Sequence, residues 1–297
     1  MRVLLLTLLA AAALALPASA PATAALPSPV ACPGCWHPST HARWQYQLQA
    51  SPGFDATGGI DVGVSSPPKR GGAAVHPTVW DIDLYVDPKL EGNPTTPNTA
   101  AVDAIHARGG HAICYVSAGS WENWRGDADS FPASVKGKTN GWPGERWLDI
   151  RRIGILAPIM ERRVAACAHA GFDAVEWDNV DGYENATGFP LTGAEQLRYN
   201  VFLANAAHRR GMSVLLKNDL DQIPKLLPYF DGALNEQCFQ YHECKALGRF
   251  VRAGKPVFNV EYKLAASAFC SKANARNFNS LKKRLSLDAW RVPCRGA

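Results

Sequence analysis

The strongest constraint on the fold is a regular alternation of short apolar runs with helical patterns along most of the chain. Leu156, Met160 and Val164 repeat at helical spacing in one such pattern, and Thr192 with Glu195 forms a capping box ahead of another. Strand, helix and strand in alternation imply parallel strand pairing. The eight apolar runs that we predict as strands are 44–49, 79–86, 111–116, 146–150, 173–178, 212–217, 232–236 and 256–261.

Eight such units that close on themselves predict an α/β fold, a single-domain (β/α)8 TIM barrel supported by disulfides. A barrel of this kind typically uses ~250 residues in one piece, which suits the length of this chain. An open doubly wound sheet is the main alternative. No G-x-G-x-x-G motif follows an early strand, so the usual signature of a dinucleotide-binding sheet is missing from the sequence.

The first 22 residues are predicted to be a signal peptide. Arg2 precedes an apolar run, and small residues follow at Ala18, Ser19 and Ala20. The run is too short to cross ~30 Å of hydrocarbon as a finished helix. We therefore expect a secreted or periplasmic protein that has no membrane attachment after signal removal.

The remaining chain is predicted to consist of a tether and one domain. Residues 23–38 are rich in Pro and Ala without periodicity and are predicted to be the tether, while residues 39–297 form the barrel domain. Inside the domain, residues 53–77 are rich in Gly, Ser and Pro and are expected to be a long connection with few regular elements.

Eight cysteines in an exported chain favour disulfides over metal or redox chemistry. Cys238 and Cys244 are close enough in sequence to clip one loop. Cys270 with Cys294 would tie the last helix to the carboxyl-terminal tail.

The other four cysteines are less clear from sequence. Cys114 and Cys167 fall on apolar faces and are predicted to be buried thiols. Cys32 and Cys35 are followed by His37, which imitates a zinc knuckle or a thioredoxin-like site. The motif precedes no helical pattern and belongs to an oxidising compartment, so both of those functions are disfavoured.

The formal net charge of +5 comes mainly from scattered basic doublets such as Arg151-Arg152 and Arg162-Arg163. They lie mostly in or beside predicted helices and have no aromatic interleaving, which is typical of a solvated face. We expect no nucleic-acid partner, and we expect a monomer.

Polar residues gather at the carboxyl-terminal ends of the predicted strands. Strands of a parallel barrel are covered on both faces and should be almost entirely apolar, so charges there need an explanation. Barrel enzymes keep their active sites at this rim. The residues that we predict to form the site are Asp83, Tyr115, Ser117, Asp149, Asp178, Asn179, Lys217, Asn218, Glu236 and Glu261.

Period-two alternation indicates which of these side chains point inward. Glu176 and Asp178 share one face of their strand, and that acidic face must point into the barrel. A buried Lys217 needs an anion, and Glu176, one strand away, is the predicted partner. Glu176 would then serve an internal ion pair without a chemical role.

Two carboxylates that face each other across a polar cleft are what glycosidic cleavage requires. One donates a proton to the leaving oxygen, and the other attacks the anomeric carbon or activates water. Asp178, beside Asn179 and near Lys217, suits the ionised role, and Glu236 suits the proton donor. Trp121 follows a strand end and is a candidate for stacking on a sugar ring, with plain packing as the alternative.

Eight short motifs follow one another in order along the chain. They are Trp44-Gln-Tyr-Gln-Leu48, Asp81-Ile-Asp83, Cys114-Tyr-Val-Ser-Ala-Gly-Ser120, Trp147-Leu-Asp-Ile-Arg151, Glu176-Trp-Asp-Asn-Val-Asp-Gly-Tyr183, Lys217-Asn218, Asn235-Glu-Gln-Cys238 and Val260-Glu-Tyr262. Together they resemble glycoside hydrolase family 114, over about residues 36–262. Members of that family are endo-α-1,4-polygalactosaminidases with a TIM-barrel domain that cut cationic, galactosamine-containing exopolysaccharides of microbial biofilms.

The resemblance implies a catalytic aspartate at Asp178 and a catalytic glutamate at Glu236. It also implies a galactosamine-containing polysaccharide as substrate, with no metal and no organic cofactor. An acidic cleft in a mildly basic protein would attract free amino groups locally. The implied substrate contacts are Asp83, Tyr115, Asp149, Asn179 and Glu261.

Other functions stay open on the residues alone. A barrel that binds an amino-sugar polymer without cutting it would use the same cleft, although degenerate glycosidases usually lose one carboxylate and both are present here. A metal-dependent deacetylase needs an Asp/His/His ligand set, for which Asp173 with His169 is the only loose local pairing. A retaining mechanism is favoured over an inverting one, but the sequence leaves both open.

Overall fold

The computed structural model describes residues 25–66, 74–91 and 93–295, so the predicted signal peptide, residues 1–22, lies outside the described residues. The strands of the described part are β1 (Trp44–Gln47), β2 (Val79–Asp83), β3 (His111–Ser117), β4 (Ser120–Glu122), β5 (Lys136–Thr139), β6 (Glu145–Leu148), β7 (Ala174–Asp178), β8 (Ser213–Lys217), β9 (Gly232–Glu236), β10 (Val257–Glu261), β11 (Asn279–Lys282) and β12 (Val292–Pro293). The helices are α1 (Pro88–Glu91), α2 (Thr99–His106), α3 (Ile153–His169), α4 (Gly193–His208), α5 (Ile223–Leu226), α6 (Cys238–Tyr241), α7 (Gly248–Arg252) and α8 (Ala266–Ala275).

Eight parallel strands form the barrel in the order β1, β2, β3, β7, β8, β9, β10 and β11, and β12 adds an antiparallel edge to β11. Within the described ranges no backbone ladder joins β11 to β1, so strand pairing does not close the barrel. Individual hydrogen bonds cross the opening. Trp44 Nε1 donates to the Asn279 carbonyl oxygen at 2.7 Å, and Gln45 Nε2 donates to the Ala289 carbonyl oxygen at 2.7 Å. The predicted (β/α)8 class is therefore confirmed, with one open seam.

One predicted barrel strand is wrong. Residues 146–150 were expected to be the fourth strand, but β6 pairs with β4 and β5 in a separate antiparallel sheet, and β3 pairs directly with β7. Arg146 faces solvent while Trp147 is buried, which is typical of a sheet that is covered on one face only. The eighth barrel position is filled by β11. This strand was not predicted from the sequence, because its residues, Asn-Ser-Leu-Lys, are mostly polar.

The barrel interior is apolar towards the amino-terminal ends of the strands and polar towards their carboxyl-terminal ends. Inward side chains of the lower layers form one core cluster that includes Trp44, Ile113 and Phe258, and a second, larger core fills the space between strands and helices. The inward positions nearer the carboxyl-terminal ends are polar and include Glu176 and Lys217, both buried. The structure confirms the predicted alternation, which brings charged side chains to one end of the barrel.

The helix patterns of the sequence are confirmed at both of the long helices. In α3 the predicted apolar positions Leu156, Met160 and Val164 are fully buried. In α4 the capping box is present, because the Thr192 hydroxyl accepts from the Glu195 backbone N–H and the Glu195 carboxylate accepts from the Thr192 backbone N–H.

All eight cysteines are paired in disulfides: Cys32–Cys35, Cys114–Cys167, Cys238–Cys244 and Cys270–Cys294. The last two pairings confirm the predictions. The prediction of two buried thiols at positions 114 and 167 is wrong, since the outward face of β3 packs against α3 and brings their Cα atoms to 6.0 Å.

The predicted tether lies against the barrel. The Val30 backbone N–H donates to Asn205 Oδ1 on α4 at 2.8 Å, and the Tyr229 hydroxyl donates to the Pro27 carbonyl oxygen at 2.7 Å. Composition did not reveal these contacts because they use backbone groups that every residue has. The 53–77 connection contains only a short 3-10 turn, Asp55–Thr57, and an isolated bridge between Ser66 and Val75 among its described residues.

Candidate active site

A cavity of about 1230 Å³ opens at the carboxyl-terminal ends of the barrel strands. This is the end at which (β/α)8 enzymes hold their active sites. Polar side chains from six separate strand ends line it: Asp83, Tyr115, Asp178, Lys217, Glu236 and Tyr262. The barrel thus brings together two acids, Asp178 and Glu236, that are far apart in sequence.

Asp178, the last residue of β7, is held by three donors. The Tyr115 hydroxyl donates to Oδ2 at 2.7 Å, Asn179 Nδ2 donates to the same oxygen at 3.2 Å, and Lys217 Nζ lies 3.1 Å from Oδ1. Burial and the Asp178 charge raise the pKa of Tyr115 well above its ordinary value, so this hydroxyl keeps its proton and stays a donor. Such an arrangement favours an ionised Asp178.

Glu236, the last residue of β9, is held less tightly. The Tyr262 hydroxyl donates to Oε1, and Lys217 Nζ lies 3.6 Å from Oε2. Burial and the charge of Glu236 raise the pKa of Tyr262 well above its ordinary value. The Glu236 side chain is 27% exposed against 18% for Asp178, and it therefore faces the open cavity more directly.

Lys217, at the end of β8, is the cation between these acids. Its side chain is only 2% exposed, and its Nζ lies 2.6 Å from Glu176 Oε1. This contact confirms the predicted Glu176 partner. Burial alone would lower the pKa of Lys217, but Asp178, Glu176 and Glu236 together raise it well above its ordinary value. The ammonium is therefore a fixed positive charge at the base of the cavity.

Asp83 and Asn179 also reach the cavity wall, as predicted from their positions. Asp83 forms a two-pronged ion pair with Arg125, whose Nη1 and Nη2 lie 2.6 and 2.7 Å from its two carboxylate oxygens. The same guanidinium binds Glu122 at 2.8 Å. Asp83 thus contributes to the site as part of an acid–arginine–acid chain.

Trp121 and Asp149 lie outside the cavity wall, although Glu122 and Glu145 of the separate antiparallel sheet are part of it. Trp121 Nε1 donates to the Ala128 carbonyl oxygen at 3.0 Å, and the Lys136 ammonium covers its ring at 4.1 Å. Asp149 forms an ion pair with Arg151 at 2.7 Å. The predicted contacts of these two residues with substrate are not supported by their positions.

Ser117, Asn218 and Glu261 lie behind the cavity wall. The Ser117 hydroxyl bonds Ser120 Oγ at 2.7 Å, and Asn218 Oδ1 accepts from the Glu236 backbone N–H at 3.0 Å. Glu261 Oε1 accepts from the Phe239 backbone N–H at 2.9 Å. These residues hold neighbouring backbone or side chains in place and are not part of the cavity lining.

The Asp173 side chain, considered above as a metal ligand, lies at the other end of the barrel, before β7 begins. It pairs with His106 at 2.9 Å and His111 at 3.1 Å, while His169 bonds the Ala165 carbonyl oxygen of its own helix. Asp173 also accepts from the Ala112 backbone N–H at 2.8 Å, which makes it a strut between strands β3 and β7. Asp173 and His169, the loose pairing considered for a deacetylase, therefore do not contact each other.

A single protein-family model covers the described barrel and both candidate catalytic acids. The sequence matches the model of glycoside-hydrolase family GH114 over residues 26–297. The chain belongs to family GH114. It is therefore a glycosidase, and the match includes the 26–38 segment that lies against the barrel.

Solved structures support the same placement of this GH114 enzyme. Ega3 of Aspergillus fumigatus in complex with galactosamine is 35% identical with a TM-score of 0.73, and the alignment covers 87% of this chain and 97% of that chain. The glycoside hydrolase domain of PelA from Pseudomonas aeruginosa is 14% identical with a TM-score of 0.58, with 84% and 97% covered, and shows the shared fold alone. A comparison with curated proteins found no match.

Two side chains of this GH114 site, Tyr262 and Tyr46, were not predicted from the sequence, although the same period-two alternation indicates that they point inward. Phe258 and Val260 point into the barrel, so the next inward residue is Tyr262, and Glu261 points outward. Tyr46 shares the inward face of β1 with Trp44 and contacts Lys217 with its hydroxyl at 3.1 Å. Arg125 could not be found this way, because it lies on a loop without periodicity.

Proposed function

We propose that this enzyme is an endo-acting glycosidase that hydrolyses α-1,4-linked galactosamine-containing polysaccharide, with Asp178 as nucleophile and Glu236 as general acid and base. The observation that carries the proposal is the convergence of these two acids on one cavity with the Lys217 ammonium between them. The 35% identity to a structure that holds galactosamine supports the sugar class.

The unequal surroundings of the acids support these roles. Asp178 accepts from a tyrosine, an amide and an ammonium, which suits a carboxylate that must stay charged and attack the anomeric carbon. Glu236 has one close donor and a more distant ammonium and faces the cavity, which suits a group that gives and regains a proton.

The spacing of the two acids allows a retaining mechanism. Lys217 Nζ lies 3.1 Å from an Asp178 oxygen and 3.6 Å from a Glu236 oxygen, so those two oxygens can be no farther apart than the two distances placed end to end. That upper limit only touches the lower end of the ~6.5 to 9.5 Å that inverting enzymes need, whereas retaining enzymes use ~5 to 5.5 Å. A covalent glycosyl-enzyme through Asp178 fits this spacing.

The charge of the cavity suits a cationic polymer. Its lining includes seven carboxylates and three cations, although the whole chain carries a formal charge of +5. Two of the cations, Arg125 and Lys217, are already engaged by acids. The wall therefore keeps an excess of negative charge that would attract the ammonium groups of deacetylated galactosamine.

Exposed aromatic rings at the cavity rim suit a long chain. Trp124 and Trp142 are exposed, and with Trp290 they contribute to the lining. Sugar rings present flat C–H faces that stack on indoles. An open cavity with rings at its rim would hold several sugar units on both sides of the cleaved bond, as endo-acting cleavage requires.

Export of the enzyme is part of the proposal. Four disulfides are typical of chains that fold in an oxidising compartment. Across the described ranges no helix is both long and apolar enough to span a membrane.

The test is incubation of the purified protein with partly deacetylated polygalactosamine, followed by mass analysis of the products. Release of oligomers with a range of lengths is expected, and D178N serves as the matched inactive control. Fully acetylated polymer should be cut more slowly, because it lacks ammonium groups. Binding of the polymer without any cleavage would replace the proposed enzyme with a binding module.

A further inference from the structure

Two acidic side chains are sealed inside the barrel beneath the cavity. Asp81 on β2 and Glu176 on β7 are both fully buried. Both carboxyl oxygens of Asp81 and Oε2 of Glu176 are buried without a hydrogen-bond partner among the described residues. Ionised carboxylates are acceptors only, so two neighbouring buried carboxyl groups can satisfy these oxygens only when one of the groups carries a proton. One of these two acids is therefore expected to be neutral.

The donors around the pair decide which acid is neutral. Glu176 Oε1 accepts from Lys217 Nζ at 2.6 Å and from the Tyr46 hydroxyl at 3.4 Å. No N–H or O–H group of the described residues reaches either oxygen of Asp81. A buried charge without donors is far more costly than one beside an ammonium. The proton therefore belongs on Asp81.

We propose that Asp81 is a neutral acid whose O–H donates a hydrogen bond to Glu176 and thereby positions Glu176 and Lys217 beneath Asp178. Burial raises the pKa of Asp81 well above its ordinary value, and the charge of Glu176 raises it further against an opposing effect of Lys217. With Asp81 neutral, Lys217 shares its charge between Glu176 and the candidate catalytic acids only.

The titratable groups that face Asp81 come from several strands. Tyr46 lies beside it on β1, Glu176 and Asp178 lie on β7, and Lys217 lies on β8. Strand β3 presents Ile113 at the same level, and Asp83, which lies on β2 like Asp81, is engaged by Arg125. Lys217 is the cation among these groups. A second charge at Asp81 would draw the ammonium away from Asp178, which lies 3.1 Å from it.

The test uses two isosteric amides at the two ends of one hydrogen bond. D81N reproduces a neutral donor and should rescue the kcat/KM that D81A loses. E176Q removes the charge that Lys217 needs and should lower kcat/KM roughly 100-fold by displacing the ammonium. Equal losses in D81N and E176Q, or the reverse order, would overturn the proposal. This activity comparison rests on the proposed function.

Two further measurements need no substrate and no folded E176Q. Because unfolded Asp81 releases a proton that folded Asp81 keeps, wild-type stability should fall as pH rises above the ordinary carboxyl range. D81N should show a smaller decline and should melt at or above the wild-type temperature at pH 7. The infrared difference spectrum of wild type minus D81N at pH 7 should show the C=O stretch of a protonated carboxyl group. Its absence would overturn the proposal even if the enzyme proved to act on another polymer.

Discussion

The Lys217 ammonium lies 3.1 Å from Asp178 although its own side chain is almost completely buried. Three acids surround this buried cation and stabilise its charge. Asp178 and Glu236 are the candidate catalytic acids, and Glu176 lies beneath them. Lys217 therefore links the stability of the barrel interior to the charge of the candidate catalytic acids.

Replacing Lys217 with Met should lower the free energy of unfolding by about 3 kcal/mol or more at neutral pH, since it leaves buried carboxylates without their partner. The loss should shrink on acidification, because those carboxylates then bind protons. Urea unfolding at pH 7 and pH 5 measures both effects. Lys89→Met, at an exposed lysine on the cavity rim, is the matched control and should unfold like wild type.

Removing the two tyrosine hydroxyls should separate the roles of the acids. Y115F and Y262F should each lower kcat/KM roughly 10- to 100-fold, because each removes the hydrogen bond that orients one of the two acids. On a substrate whose leaving group needs no proton, the loss in Y262F should shrink because general-acid catalysis is no longer required, whereas the loss in Y115F should persist. Y241F is the exposed control. The reverse pattern would mean that the roles of Asp178 and Glu236 are exchanged.

Trp142→Ala should weaken substrate binding without affecting chemistry. The side chain is 55% exposed at the rim, so its loss should not affect folding. KM should rise roughly 2- to 10-fold with kcat unchanged if the indole stacks on a sugar. Steady-state kinetics on the long polymer measures this change, with Tyr241→Ala as the control outside the cavity. Unchanged KM in W142A would remove this ring from the binding site.

Asp219→Asn should flatten the dependence of stability on pH. Burial and the nearby charge of Asp181 raise the pKa of Asp219 to about 8. The folded protein therefore holds a proton that the unfolded chain releases, and wild-type stability should fall as pH rises from about 4 towards 8. Asn tolerates the left-handed backbone of this position, where φ is 42°. Denaturation at a series of pH values should show a smaller decline in D219N than in the exposed control D129N, and equal declines would contradict the assignment.

The Cys114–Cys167 disulfide should contribute more stability than Cys32–Cys35. The first closes a loop with a sequence separation of 53 and the second a separation of 3. Loop-closure entropy predicts a loss of about 4 kcal/mol for the double alanine variant at the first pair and about half of that at the second. Urea unfolding of the two variants gives the comparison, and an equal loss would show that loop length does not set these contributions.

Periodicity predicted the inward positions of Asp178 and Lys217. A charged side chain in an otherwise apolar parallel strand can be accommodated only at the polar, carboxyl-terminal end of the barrel interior. Periodicity failed at β6, where an antiparallel strand looks like a short barrel strand in sequence. It failed again at β11, because Asn279 and Ser280 are polar in sequence although both are buried in the structure, where the Ser280 hydroxyl donates to Asn259 Oδ1 at 2.8 Å. Residues on loops, such as Arg125, carry no periodic signal and were found only in three dimensions.

Disulfide pairing is likewise hard to predict from sequence when it depends on tertiary packing. Cys238–Cys244 was predictable because both residues lie in one short loop, whereas Cys114–Cys167 depends on the packing of a strand against a helix. The separation of Asp178 and Glu236 likewise depends on register across β7, β8 and β9, which the residue pattern alone does not fix.

The most direct test of the two-acid mechanism is the cleavage rate of D178N and E236Q on deacetylated polygalactosamine, with polymer binding measured in parallel. Each variant should lose at least roughly 100-fold in cleavage and still bind the polymer, since each amide keeps the shape of the acid without its chemistry. Wild-type cleavage by either variant would contradict the mechanism.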